Sequence, residues 1–230
     1  MQKCKVNERK GGIIMGNKKM KLWKRILFAV LAIFIVFLIY VIRNFIIISN
    51  LEEVSKEYAN KTNYIAYIYS IQSNSINMLK SYNKDGRYLS CIETKVNDIN
   101  DIRKLTVYKS DSEGIAVIQS NDKKIAMLNK NVVGGAQVIT YGMFGPESGL
   151  TVLQKIILSI ISRISTEECN NKETFLVEMP HGWKMWVDKD NGTIVREINS
   201  GFVTERRYEF DKVKDEDVIR PDISDCEIQK

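Results

Sequence analysis

The chain has 230 residues, a formal net charge of +6 and a sequence pI near 9.0. That pI invites a nucleic-acid reading, but the charge is in the wrong place. Residues 1–43 hold ten Lys/Arg and one acid, a net of +9, so residues 44–230 stand at −3. No basic patch with interleaved aromatics marks the larger part, and nucleic acid drops out as a partner.

The first element is a basic tail, residues 1–25, with Lys18, Lys19, Lys21, Lys24 and Arg25 close to its end. Translation from Met15 or Met20 would give a more compact signal-anchor. Seventeen residues, 26–42, then pass without a charge, and Phe45 to Ile48 extend the apolar run beyond Arg43 and Asn44. A helix rises about 1.5 Å per residue, so residues 26–48 are long enough to cross a hydrocarbon core of roughly 30 Å. A cleaved signal peptide would need a shorter core and small residues at a cleavage site, which this sequence lacks. Positive flanks stay cytoplasmic, so the expected topology is single-pass, N-terminus inside, with residues 49–230 extracytoplasmic.

Beyond the anchor, residues 51–61 carry apolar side chains at helical spacing with acids early, which predicts a short amphipathic helix. From Asn63 the period changes to two. Ile65, Tyr67, Tyr69 and Ile71 alternate with Tyr64, Ala66, Ile68 and Ser70, as in a strand with both faces in contact. Further strands are expected at 88–96, 103–109, 115–120 and 125–129, separated by turn residues in the manner of an antiparallel meander. Residues 132–149 are glycine-rich and read as a long loop. Residues 150–164 are expected to form a helix whose apolar stripe is wider than a half-exposed helix needs, so it should be deeply buried or plug a cavity. A second membrane span is the rival reading, but fifteen residues interrupted by Gln154, Lys155 and Arg163 are too short and too polar for one. Strands resume at 175–179, 183–187, 193–198 and 202–212. Asn191-Gly192 supplies the positive φ of a hairpin turn.

Chemistry-bearing patterns are sparse. Asp188-x-Asp190-x-Gly192 has its glycine one place early for a calcium loop and fits a hairpin instead. His181, the single histidine, sits in a Pro-His-Gly turn with no nucleophile or metal partner implied. Gly142, Gly145 and Gly149 lack the Gly-Lys-Ser/Thr of a phosphate loop. No Cys-x-x-C occurs, so no zinc knuckle or dithiol site is implied. Beyond Cys4, the cysteines Cys91, Cys169 and Cys226 allow one bridge, such as Cys91–Cys169, or three separate small apolar residues. An enzyme, a cofactor and a metal are therefore not expected. The aromatics that fall in strands suggest either an ordinary core or a sheet face that holds an apolar ligand. Tyr67, Tyr69, Trp183 and Trp186 are the candidate cavity wall, and Leu153, Ile157 and Ile161 the candidate plug.

The segment Trp186-Val187-Asp188-Lys189-Asp190-Asn191-Gly192-Thr193-Ile194-Val195-Arg196 resembles a recurring strand–turn–strand of the lipoprotein-localisation superfamily. That group includes lipoprotein carriers and the sensor domain of the sigma-factor regulator. The ending Tyr208-Glu209-Phe210, Val213 to Val218 and Pro221-Asp222 resembles clostridial, membrane-anchored members. The resemblance implies an α+β fold: a strongly curved antiparallel half-barrel with helices on its concave face and an acyl-chain-sized cavity. An uncleaved anchor is a departure from the carriers and argues against shuttling. The expected function is a membrane-anchored envelope protein that holds or senses a lipid, a lipoprotein or another hydrophobic ligand. The alternative is a ligand-free interaction or assembly module that binds an envelope protein partner; an envelope hydrolase ranks below both for want of a nucleophile–base set.

Overall fold

The computed structural model describes residues 12–72, 75–96, 102–120, 123–141 and 149–229. Residues 1–11 of the basic tail, the Asn121-Asp122 turn and the Gly142–Gly145 part of the glycine-rich loop lie outside the described residues.

The described residues open with one helix, α1 (Gly12–Ala59), of 48 residues. It includes the apolar run and continues unbroken through the segment expected to form a short amphipathic helix. Among the described residues, it is the one helix long and apolar enough to cross a membrane. No proline or glycine falls between Arg43 and Ala59, so nothing in the sequence interrupts it.

Six antiparallel strands follow: β1 (Asn63–Gln72), β2 (Ser75–Lys84), β3 (Arg87–Val96), β4 (Ile102–Lys109), β5 (Gly114–Ser120) and β6 (Lys123–Leu128). After the loop and α2 (Val152–Ile161) come β7 (Arg163–Cys169), β8 (Lys172–Glu178), β9 (Lys184–Asp188), β10 (Ile194–Asn199), β11 (Phe202–Phe210) and a short β12 (Glu227–Gln229). All twelve join one open sheet in the order β12-β6-β5-β4-β3-β2-β1-β11-β10-β9-β8-β7. The two meanders meet where β1 pairs with β11, Tyr67 opposite Arg207. Each pairing is antiparallel except β12 with β6, which is parallel. The fold is the expected α+β half-barrel with a long N-terminal helix.

Alternation divides the sheet into two faces. One face carries the helices. There Ile48 and Leu51 of α1 pack with Ile164, Val177, Met185, Val187 and Ile194 from β7 to β10. Burying a side chain of this size contributes about 1.5–3 kcal/mol. Gly192, at φ +66, lets the β9–β10 turn lie against α1: a Cβ there would collide with Ser55 Oγ and approach the Leu51 carbonyl oxygen to 3.0 Å. Next to this cluster, residues 132–141 lie over β1, β2 and β11, with the Tyr64 hydroxyl donating to the Ala136 carbonyl at 2.6 Å.

Among the described residues, the opposite face is covered by the C-terminal stretch at one end. Val213, Val218 and Ile223 of the C-terminal stretch pack on Tyr108, Ile115, Tyr82 and Leu89. That charged stretch, expected merely to end the domain, therefore closes part of the core and adds β12.

Two expectations need correction. β2 gave no strand signal because its inward positions include Ser81 and Asn83. Both are buried, and Ser81 Oγ is satisfied by Ser90 Oγ at 2.6 Å. The helix expected to be deeply buried is not: in α2 only Ser159 is fully buried, and the apolar stripe faces outward.

Candidate functional site

The open part of the second face holds a cavity of about 810 Å³. The strand register builds its wall. On adjacent strands, Lys80, Tyr67 and Arg207 stand in one cross-strand row. Two residues along, Met78, Tyr69, Glu205, Arg196 and Trp186 form the next row, from β2 across to β9. The lining combines Tyr67, Tyr69, Met78 and Val195 with Lys80, Arg207 and the turn residues Asn170 and Asn171. Asn170 and Asn171 both adopt positive φ (55° and 60°), which Asn tolerates better than most residues.

The electrostatics are uneven. Most charges near the cavity are paired: Arg206 with Glu197 at 2.9 Å, Lys172 with Asp188 at 2.5 Å, Glu93 with Lys104 at 2.8 Å. Lys80 is different. Among the described residues it makes no ion pair. Its ammonium lies 5.3 Å from the Tyr67 ring centre and 4.7 Å from that of Tyr82. A hydrogen bond with Tyr82, outweighing partial burial, raises its pKa above the ordinary lysine value. The Arg207 guanidinium lies 4.3 Å from the Tyr67 ring. One tyrosine thus carries a cation from each neighbouring strand, an arrangement that stabilises positive charge over the π face.

Of the expected wall residues, Tyr67 and Tyr69 line this cavity. Trp186 shares their face but is buried under Arg196, in a cluster with Cys169, Leu176 and Val195. Its indole donates to Glu167 at 3.0 Å, so it supports the wall from behind. Trp183 does not join them. It packs against the helix-side cluster and donates to Glu197 at 3.0 Å. Leu153, Ile157 and Ile161 are 66%, 47% and 46% exposed and do not line the cavity, so α2 is not its plug. The reason is that α2 packs through its polar side on α1.

Sequence reasoning missed Lys80, Arg207 and Met78. Lys80 and Met78 sit on the unrecognised β2. Arg207 acquires a role only through the pairing of β1 with β11, which joins residues 140 positions apart. Cys91 borders the cavity as an exposed thiol, and Cys169 is a buried one; the two are not bonded. Asp188 of the calcium-like motif accepts from the Asp190 N–H and Asn191 Nδ2 and pairs with Lys172, so its carboxylate is committed to the turn.

A helix-bearing open half-barrel with a cation-flanked aromatic cavity defines the class of site. No family model matches the chain, and no curated protein matches it. Among solved structures, the crystal structure of MucB aligns over 75% of this chain and 62% of that one, with TM-score 0.36 and 8% identity. MucB in complex with MucA(peri) aligns over 79% and 62%, with TM-score 0.35 and 10% identity. The chain thus spans less than two thirds of these structures, and likeness at this level carries no functional argument.

Proposed function

We propose that this protein is a membrane-anchored extracytoplasmic binding protein that holds or senses an amphiphile with an acyl-like body and an acidic group. The observation that carries this reading is the cavity beside Tyr67: apolar and aromatic along Tyr69, Met78 and Val195, and cationic at Lys80 and Arg207. Ligand sites of this kind are mainly apolar with few placed polar groups. Residues 26–48 are the anchor, with the basic tail inside and the sheet outside. No catalytic step is proposed.

The test uses the full chain in mild detergent with a fatty acid that carries a photoreactive diazirine. Crosslinks are expected at Tyr67, Tyr69 and Met78. Lys80→Ala is expected to weaken binding about tenfold or more, as a charge-assisted hydrogen bond is worth about 1.5–3 kcal/mol. Crosslinks spread evenly over the domain, or affinity unchanged by both Lys80→Ala and Tyr67→Ala, would overturn it.

A second reading, a protein-binding module, rests on β7. In the sheet order β7 has β8 on one side and, among the described residues, no strand on the other, so the part of its outer edge beyond Ile164, whose carbonyl Arg43 holds, could receive a partner strand.

A further inference from the structure

α2 is amphipathic in the reverse sense of a globular helix. Its side chains at Val152, Leu153, Ile156, Ile157, Ile160 and Ile161 are exposed, whereas Gln154, Lys155 and Ser159 are the less exposed or buried ones. The polar side is occupied by α1. At the N-terminal end of α2, Glu52 Oε1 accepts from the Leu150 N–H at 3.0 Å and Glu52 Oε2 pairs with Lys155 at 2.5 Å. At its C-terminal end, the Ser162 carbonyl accepts from the Tyr40 hydroxyl at 2.5 Å and from Asn44 Nδ2 at 3.1 Å. Asn44 Nδ2 also reaches the Ser159 carbonyl, and Arg43 Nη1 reaches the Ile164 carbonyl at 3.0 Å.

These contacts fix a direction. α2 starts beside residue 52 and ends beside residues 40–44, so it runs antiparallel to α1. From residue 40 to residue 52 the helix rises about 18 Å, close to the roughly 15 Å length of ten helical residues. The end of α2 therefore lies level with the outer part of the apolar run 26–48. They also explain two polar side chains inside that run. Asn44 is 0% exposed and its amide is taken up by carbonyls of α2, while Arg43 is held by the carbonyl just beyond it. In hydrocarbon a polar group must find its partner within the protein. Ile39, Ile42, Ile46 and Ile47 line a notch on α1 together with Arg43, while Arg163, at the start of β7, is exposed and reaches toward Glu178.

The geometry points to a second membrane contact: α2 enters the outer leaflet alongside α1, Ile161 deepest and Leu153 nearest the surface, with lipid acyl chains covering Leu153, Ile157 and Ile161. This rests on residues 26–48 being the anchor. The occupant is lipid because the end of α2 is held beside residues 40–44 of the apolar run, where Ile39, Ile42 and Ile46 of α1 are exposed, and because none of the six residues of the stripe is polar.

The test places single spin labels in the full chain, with Cys4, Cys91, Cys169 and Cys226 replaced by serine or alanine, in nanodiscs of phosphatidylcholine and phosphatidylglycerol. Labels go at positions 153, 157 and 161, with Phe34 as the anchor reference and Phe202 as the aqueous one. Labels at 157 and 161 are expected to show high collision with oxygen and several-fold lower collision with a soluble nickel chelate than Phe202, with depth increasing from 153 to 161. Nickel contact at 157 and 161 equal to that at Phe202, with Phe34 still in lipid, overturns the α2 contact and leaves the anchor standing. Nickel contact at Phe34 overturns both. Shielding of 157 and 161 from oxygen and nickel alike means that protein, not lipid, covers the stripe, and also overturns it.

Discussion

Glu52 and Lys155 form an ion pair at 2.5 Å although they stand 103 positions apart in the chain, and the Leu150 N–H, 98 positions from Glu52, shares the same carboxylate. Glu52 is 3% exposed and also meets Lys56 at 3.2 Å. Burial pushes its pKa up. Hydrogen bonds from Lys155, Lys56 and the Leu150 N–H together outweigh that and hold it below the ordinary value of 4.5.

Removing one partner of a buried pair leaves the other uncompensated. Glu52→Ala is expected to destabilise the domain by roughly 3 kcal/mol, measured as a fall in thermal midpoint by circular dichroism in detergent. Because the folded pKa is depressed, the stabilisation is present above the unfolded value near 4.5 and is lost as pH falls through the lower folded value. The wild-type midpoint should therefore drop in acid more steeply than that of Glu52→Ala. Parallel curves would show that Glu52 is not the group responsible.

Gly192 tests the contact between the hairpin turn and α1. Its φ is +66°, and an added Cβ would strike Ser55 Oγ. Gly192→Ala is expected to cost about 1–3 kcal/mol from strain plus displacement of α1. Gly201, at φ +85° with open space around it, is the control. Gly201→Ala should cost less, of the order of 1 kcal/mol, from conformation alone. Equal losses at the two sites would mean that the contact with α1 contributes nothing.

The thiols report topology and occupancy together. Cys91 is exposed beside the cavity, whereas burial, partly offset by Arg196, raises the Cys169 pKa. Thiolate is the reactive form. A maleimide that cannot cross membranes is expected to label Cys91 on intact cells, to spare Cys169 until the domain unfolds, and to spare Cys4. An acyl ligand in the cavity should slow labelling of Cys91. Labelling of Cys4 at the rate of Cys91 would reverse the proposed orientation.

Much of this architecture was legible where side chains repeat. The apolar run, the alternation from Tyr64 to Ile71 and the Asn191-Gly192 turn each announce an element through local chemistry, and each is present. Local chemistry fails where the interior is polar. Ser81 and Asn83 face inward, where Ser81 Oγ meets Ser90 Oγ across the β2–β3 hairpin and Asn83 Nδ2 donates to the Ser81 carbonyl, so β2 does not alternate apolar with polar. It fails again where a stripe has two possible destinations. The periodicity of Leu153, Ile157 and Ile161 marks a helix face correctly, but periodicity does not tell a protein core from a lipid one. Asn44 and Arg43 are the residues that separate those destinations, and their partners emerge only from the packing of α2 on α1. The cavity was half legible: Tyr67 and Tyr69 are on its wall, but its cations come from strands that meet only in the folded sheet.

The unbroken course of α1 has a mechanical consequence. Its 48 residues make a rod of about 72 Å with no joint between the apolar run and Ile48 and Leu51 in the core. A sheet bolted to such a rod cannot swivel on a tether. Any twist imposed on β7 to β10 must appear as rotation or tilt of the whole shaft, including its far end.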